Sequence, residues 1–168
     1  MLDTIPLSNG IRPCDLDAGM AYRLTLLIVQ ERREQTLLVR QWVAQAQWPA
    51  AVVALSDAHN EPSAFLSSLR EALATHDLVP VRSSFSSPMD GMIDLINALS
   101  AAPKEFALAL QNYDAIDSTK VHDLLGLLLD YLPPQMHIFV LSTHPPPLSN
   151  LARLRVRRQL LQLGGARG

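Results

Sequence analysis

Four short apolar runs constrain this chain more than any other feature: residues 24–29, 50–55, 106–110 and 136–141. Each is five or six residues long and hydrophobic throughout except for Thr25 and His137. A strand covered on both faces reads this way, whereas a strand with one wet face alternates. Helical patterns lie between the runs. Residues 36–48 put Leu38, Val39, Trp42, Val43 and Ala46 on one face, and residues 62–75 do the same with Phe65, Leu66, Leu69, Ala72 and Leu73. Residues 90–101 offer Ile93, Ile96 and Leu99, and residues 118–132 offer Val121, Leu124, Leu125, Leu128, Leu129 and Leu132. Asn60 and Asp117 are the expected N-caps of the second and fourth helices, and Pro133-Pro134 ends the fourth. Strands alternating with helices imply a mostly parallel sheet with right-handed crossovers, layered as an α/β/α sandwich. Leu26, Val53, Leu108 and Phe139 are expected in its core.

The chain of 168 residues suits one domain. With 48% apolar and 18% charged residues it is globular, and with 5% aromatics its core is aliphatic. Residues 1–22 read as a lead-in, 23–145 as the α/β core and 146–168 as a basic C-terminal segment. Residues 1–150 hold nine basic and sixteen acidic side chains, a net −7, and the rest hold five arginines and no acid, a net +5. Such a segment attracts nucleic acid or an acidic partner, or forms a solvated helix end, and the last is the simplest reading. The residues after Arg155 are open between a weak fifth strand and a loose end. Residues 79–88, rich in Ser and Pro, read as a loop, and Pro145-Pro146-Pro147 as a stiff connector. Cys14 is the single cysteine, which excludes an intrachain disulfide and favours a reducing compartment. With no signal peptide and no membrane-length apolar run, the expected location is cytoplasmic.

Residues 23–42 have the layout of a phosphate-binding strand, loop and helix, yet the loop carries neither glycine nor lysine. Such a loop needs glycines so that backbone N–H groups can approach the anion, and a lysine for the outer phosphates. Arg32, Glu34 and Gln35 occupy those places. The expectation is a wider loop, or a helix extended toward its N-terminus, with no phosphate-cradling nest.

Several collinear segments resemble the nucleotide-binding domain of the large MalT-like LuxR-type transcriptional activators, of the STAND class of P-loop NTPases. Residues 23–42 resemble that family's strand, P-loop and helix. Leu55-Ser-Asp-Ala-His-Asn-Glu-Pro-Ser-Ala-Phe65 is similar to its Leu-Asp-Glu-x-Asp-Asn-Asp-Pro-x-x-Phe segment. Phe106-Ala-Leu-Ala-Leu-Gln-Asn-Tyr113 resembles its second acidic strand, 128–137 its Leu-Leu-x-x-Leu-Pro-Pro-x-x-His segment, and 142–159 its Ser-Arg-x-x-Pro-Pro-Leu-x-x-Ala-Arg-Leu-Arg signature. The resemblance implies a P-loop NTPase fold. The departures fall on its chemistry. Where the family reads Gly-x-Gly-Lys-Thr-Thr, residues 32–37 read Arg-Arg-Glu-Gln-Thr-Leu, so only Thr36 matches, at the Mg²⁺-ligating hydroxyl. The acidic pair of the second motif is Gln111-Asn112, and the sensing arginine falls on Thr143 or His144. The family's winged-helix, sensor and helix-turn-helix regions are not within these 168 residues, as expected either of a piece of a longer regulator or of a small stand-alone relic.

The remnant nucleotide-site positions are therefore Gln35, Thr36, Gln111, Asn112 and His144, with no catalytic residue, no metal ligand set and no cofactor expected. Asp114 and Asp117 stand close enough in sequence to replace the lost carboxylates, but Asp117 is better read as a helix cap. Arg32 and Arg33 offer an anion attractor at a helix N-terminus, against the simpler reading of a solvated turn. The five histidines lack metal-ligand spacing, and His137, inside an apolar run, reads as buried and hydrogen-bonded. Trp42 and Trp48 read as core or contact residues. The expected function is a pseudo-NTPase, a non-catalytic regulatory module that binds a protein partner, a full-length regulator or a second copy. The alternative is a weak ATP-binding domain of a transcriptional regulator. Direct DNA binding through Arg153, Arg155, Arg157, Arg158 and Arg167 is the weakest reading, because no helix-turn-helix is visible.

Overall fold

A computed structural model describes residues 10–80 and 85–164. The strands are β1 (Leu24–Ile28), β2 (Ala50–Ala54), β3 (Phe106–Gln111), β4 (Met136–Ser142) and β5 (Leu160–Leu163). The helices are α1 (Arg32–Gln45), α2 (Pro62–Thr75), α3 (Pro88–Leu99), α4 (Thr119–Asp130) and α5 (Leu151–Val156). The four apolar runs are the first four strands, within a residue of their expected ends. The sheet is fully parallel in the order β2-β3-β4-β1-β5. The fifth strand forms: β5 pairs with β1, Leu24 opposite Leu160, so residues beyond 145 extend the same sheet through α5 and β5.

Alternate strand residues serve two cores. Phe106, Leu108 and Leu110 of β3 join the cluster with Phe65, Leu69, Leu95, Leu125 and Leu128 from α2, α3 and α4. Ala107 and Ala109 face the other way, toward Leu38, Val39 and Trp42 of α1. The small alanines leave room for the Trp42 ring, whose centroid lies 4.6 Å from Phe139 and 6.4 Å from Trp48. Helices on both faces make the three-layer sandwich. Leu26, Leu108 and Phe139 are fully buried and Val53 nearly so.

A 3-10 segment, Pro13–Ala21, completes the α1 side. Its Leu16 is buried, and Asp17 Oδ1 accepts from Trp42 Nε1 at 3.0 Å. A Cβ at Gly19 would collide with Thr25 Oγ1 and the Phe139 ring, so only glycine lets this segment approach the sheet. His137 is buried as expected, its Nδ1 2.7 Å from Tyr22 O and its Nε2 3.3 Å from Glu105.

Both expected caps are corrected. Glu61 caps α2 by accepting from Ala64 N at 2.8 Å, and Ser118 caps α4 by accepting from Val121 N. Asn60 instead accepts from the N–H groups of Asp117 and Ser118 at 2.7 and 2.9 Å and donates to Ala115 O at 3.0 Å. Its two-ended amide ties the approach to α4 to the approach to α2. A carboxylate one position nearer the helix does the capping instead.

Candidate functional site

In an open α/β sheet, ligands bind beyond the carboxyl ends of the strands, where the chain order reverses. Here that point is β1, with β4 on one side and β5 on the other. Three residues, Val29 to Glu31, connect β1 to α1. Their neighbours are the ends of β3 and β4, so the sheet gathers residues from three distant parts of the sequence.

Helix α1 starts at Arg32, four residues before the sequence pattern places it. The positions of the missing glycines are thus its first turn. No residue between 29 and 35 is in the left-handed region, and Gln35 N donates to Glu31 O at 3.1 Å. That amide is spent on the helix. In a phosphate-binding loop it would point at the anion.

Gln35 is fully buried. Its Nε2 donates to Val29 O at 3.0 Å and its Oε1 accepts from Asn112 N at 3.0 Å. One amide side chain therefore bridges the ends of β1 and β3 and satisfies a backbone group on each. A lysine there would present three donors and no acceptor, and would leave Asn112 N unpaired. Asn112 is left-handed (φ 59°), a conformation asparagine tolerates better than most residues. Thr36 Oγ1 donates to Arg32 O at 3.2 Å and lies 3.5 Å from Gln111 Oε1. Gln111 itself is buried.

An ion pair covers this bridge. Arg32 Nη2 lies 2.8 Å from Asp114 Oδ2, and the Asp114 side chain is only 8% exposed. Asp114 Oδ1 accepts from Thr143 N at 3.3 Å, and Gln30 Nε2 donates to Thr143 O at 2.9 Å. Asp114 is thus engaged by a cation and a backbone amide of its own chain. Asp117 is exposed. His144 is exposed as well and joins the group only through Thr143, its Nδ1 3.1 Å from Thr143 Oγ1.

The structure thus brings Gln35, Thr36, Gln111 and Asn112 into direct contact and leaves His144 at the rim. Sequence reasoning missed the Arg32–Asp114 pair and the bonding of Thr143, because those partners are 82 and 29 residues apart and no motif joins them. It also missed Tyr113, buried behind the crevice with its hydroxyl 2.8 Å from His122 Nδ1. Burial pushes the Tyr113 phenol above its usual range. Burial also lowers the His122 pKa, against the raising influence of Asp117 and Asp123. Among the described residues no group of His, Cys, Asp and Glu has the arrangement of a metal site.

No family model matches the chain. It is 27% identical over 157 residues to the HTH-type transcriptional regulator MalT of Cronobacter sakazakii, covering 89% of this chain. It is 30% identical over 156 residues to MalT of Yersinia enterocolitica, covering 88%. In both cases the match spans 17% of the relative's length. Among solved structures it is similar to Cdc6p from Pyrobaculum aerophilum, with a TM-score of 0.61 at 11% identity, over 90% of this chain and 43% of that one. The Aeropyrum pernix ORC1 protein in complex with DNA gives 0.58 at 15% identity, over 92% and 44%. The chain is thus similar over most of its length to MalT, and it shares with Cdc6p and ORC1 the fold of a parallel sheet flanked by helices on both faces.

Proposed function

We propose that this chain is a non-catalytic regulatory module: the ATPase-domain frame of a MalT-like, LuxR-type regulator, with its phosphate crevice closed by its own side chains. The observation that carries the reading is Gln35, which is fully buried and spends both ends of its amide on Val29 O and Asn112 N. A triphosphate would have to break that bridge and separate Arg32 from Asp114 before any N–H group faced it. The sequence departures point the same way. Phosphoryl transfer rests on positioned Mg²⁺ and on cations at the γ-phosphate. Gln35 offers no charge, and Gln111 and Asn112 offer no carboxylate. Loss of one strong electrostatic contact costs about 10²–10³ in rate, and three such contacts are missing.

Function then rests on surfaces. The partner in this reading is a protein, a full-length regulator or a second copy of the chain, in the cytoplasm, rather than DNA. The match to a sixth or so of a longer regulator supports a module that works beside other parts. No helix among the described residues is long and apolar enough to cross a membrane. A weak ATP-binding domain is the second reading, favoured by Thr36, whose hydroxyl stands at the metal-ligating position. Steady-state phosphate release separates the two. The expected result is no hydrolysis above background. Turnover that Thr36→Ala abolishes would sink the proposal.

A further inference from the structure

At the opposite end of the sheet from the crevice lies a cleft of about 270 Å³ that the regulatory reading does not use. It opens between the end of α4, helix α5 and the starts of β1 and β5. Arg23, Asp130, Tyr131, Arg153, Arg157 and Gln159 line it. We propose that this cleft is a binding site for a small phosphate-bearing ligand.

Two of its three guanidinium groups are held in place. Arg23 Nη1 donates to Leu132 O at 3.2 Å. Arg153 pairs with Asp130, which is itself oriented by the buried Asn150, whose Nδ2 donates to Asp130 Oδ1 at 2.7 Å and to Gly126 O at 3.1 Å. The backbone fixes the floor, since the N–H groups of Arg23 and Leu24 both donate to Gln159 O, at 3.1 and 3.2 Å. Arg157, in the turn after α5, is exposed, and its side chain has no ion pair among the described residues. The Tyr131 ring stands at the mouth, 66% exposed.

Charge decides what fits. Three guanidinium groups face one carboxylate, a surplus of two. The C-terminal ends of α4 and α5 also point here and subtract up to about half a charge each. A surplus of about one positive charge remains in a half-enclosed space. One compact oxyanion balances that surplus, and arginine forks match phosphate oxygens in geometry as well as charge. A polyanion tract would need a longer stripe of unpaired cations than the cleft supplies.

The test is a titration of inorganic phosphate into isotope-labelled protein, read by amide chemical shifts. Saturable shifts are expected at Tyr131, Arg157 and Gln159, with none at the start of α1. Arg157→Ala should weaken binding about tenfold or more, the loss of a hydrogen bond to a charged group, and raising the salt should weaken it further. Arg12→Ala, an exposed arginine elsewhere, should leave it unchanged. A single-stranded oligonucleotide is the second arm. Its binding should be no tighter per phosphate than that of the free ion. The proposal is overturned if phosphate shows no saturation at millimolar concentration, if Arg157→Ala binds as well as the parent, or if only the oligonucleotide binds with a salt dependence spanning several phosphates.

Discussion

Replacing Gln35 by methionine keeps the length and most of the volume of the side chain and removes both polar ends of the bridge. Val29 O and Asn112 N then lose their partners in a place with no solvent access to the side chain. Each orphaned buried group costs about 1–3 kcal/mol, so the pair costs about 2–6 kcal/mol, of which methionine burial returns a part. A net loss of about 3 kcal/mol is a large share of the 5–15 kcal/mol that holds a domain of this size together. It lowers the melting temperature by about 6–12 °C on the usual scaling of about 2–4 °C per kcal/mol. Thr36→Val is the comparison. Its hydroxyl has a bond to Arg32 O within its own helix and only a long approach to Gln111 at 3.5 Å, so the loss stays within about 1 kcal/mol. Differential scanning calorimetry measures both. If Gln35→Met is as mild as Thr36→Val, Gln35 is no bridge and the reasoning fails. Gln35→Lys should destabilise at least as much as methionine, because it buries an ammonium group with no carboxylate free to meet it.

Four further outcomes follow from the packing. Arg70→Ala removes a guanidinium that is 4% exposed, bonded to Asp94 at 2.8 Å and Pro80 O at 3.2 Å, and stacked 4.8 Å from the Phe85 ring centroid. Asp94 keeps a 32% exposed carboxylate, so the loss is that of a charged hydrogen bond and its packing, about 1–3 kcal/mol, readable as a lower midpoint in urea unfolding. Gly19→Ala forces a methyl into Thr25 and Phe139 and should cost about 1–3 kcal/mol, measured in the same way. His122 has a depressed pKa, so the folded state favours its neutral form. Stability should fall as pH drops below the unfolded value of about 6.5. Tyr113 has a raised pKa, so stability should fall as pH rises past the unfolded phenol value of about 10. Melting curves across pH, repeated on His122→Phe, should lose the acid-side slope assigned to that group.

The first four strands were legible because they are largely covered on both faces, which leaves apolar runs broken only at Thr25 and His137, whereas the half-exposed β5 left a weaker signature. The helix starts were less legible. Asn60 and Glu61 are adjacent potential caps, and only the pull of Asp117 N and Ser118 N on the Asn60 oxygen decides between them. The 3-10 segment left no mark, since Leu16 is buried without a periodic partner and Gly19 matters only through what it touches. In the crevice, the missing glycines and lysine could be read from residues 32–37. What replaced them could not, because the Gln35–Asn112 and Arg32–Asp114 contacts join residues 77 and 82 positions apart. Tertiary hydrogen bonds of that span have no local pattern.

In the proposed function the crevice is closed by the chain's own side chains. The melting temperature with and without excess Mg-ATP tests it most directly, since any ligand that binds only the folded state must raise it. At a hundredfold excess over its dissociation constant a bound nucleotide would add about 2.7 kcal/mol, a rise of about 5–11 °C. In an Arg157→Ala background, which disables the cleft beside α5, the expected result is no rise at any nucleotide concentration. A concentration-dependent rise in that background, lost when Thr36→Ala is added, would show nucleotide bound in the crevice.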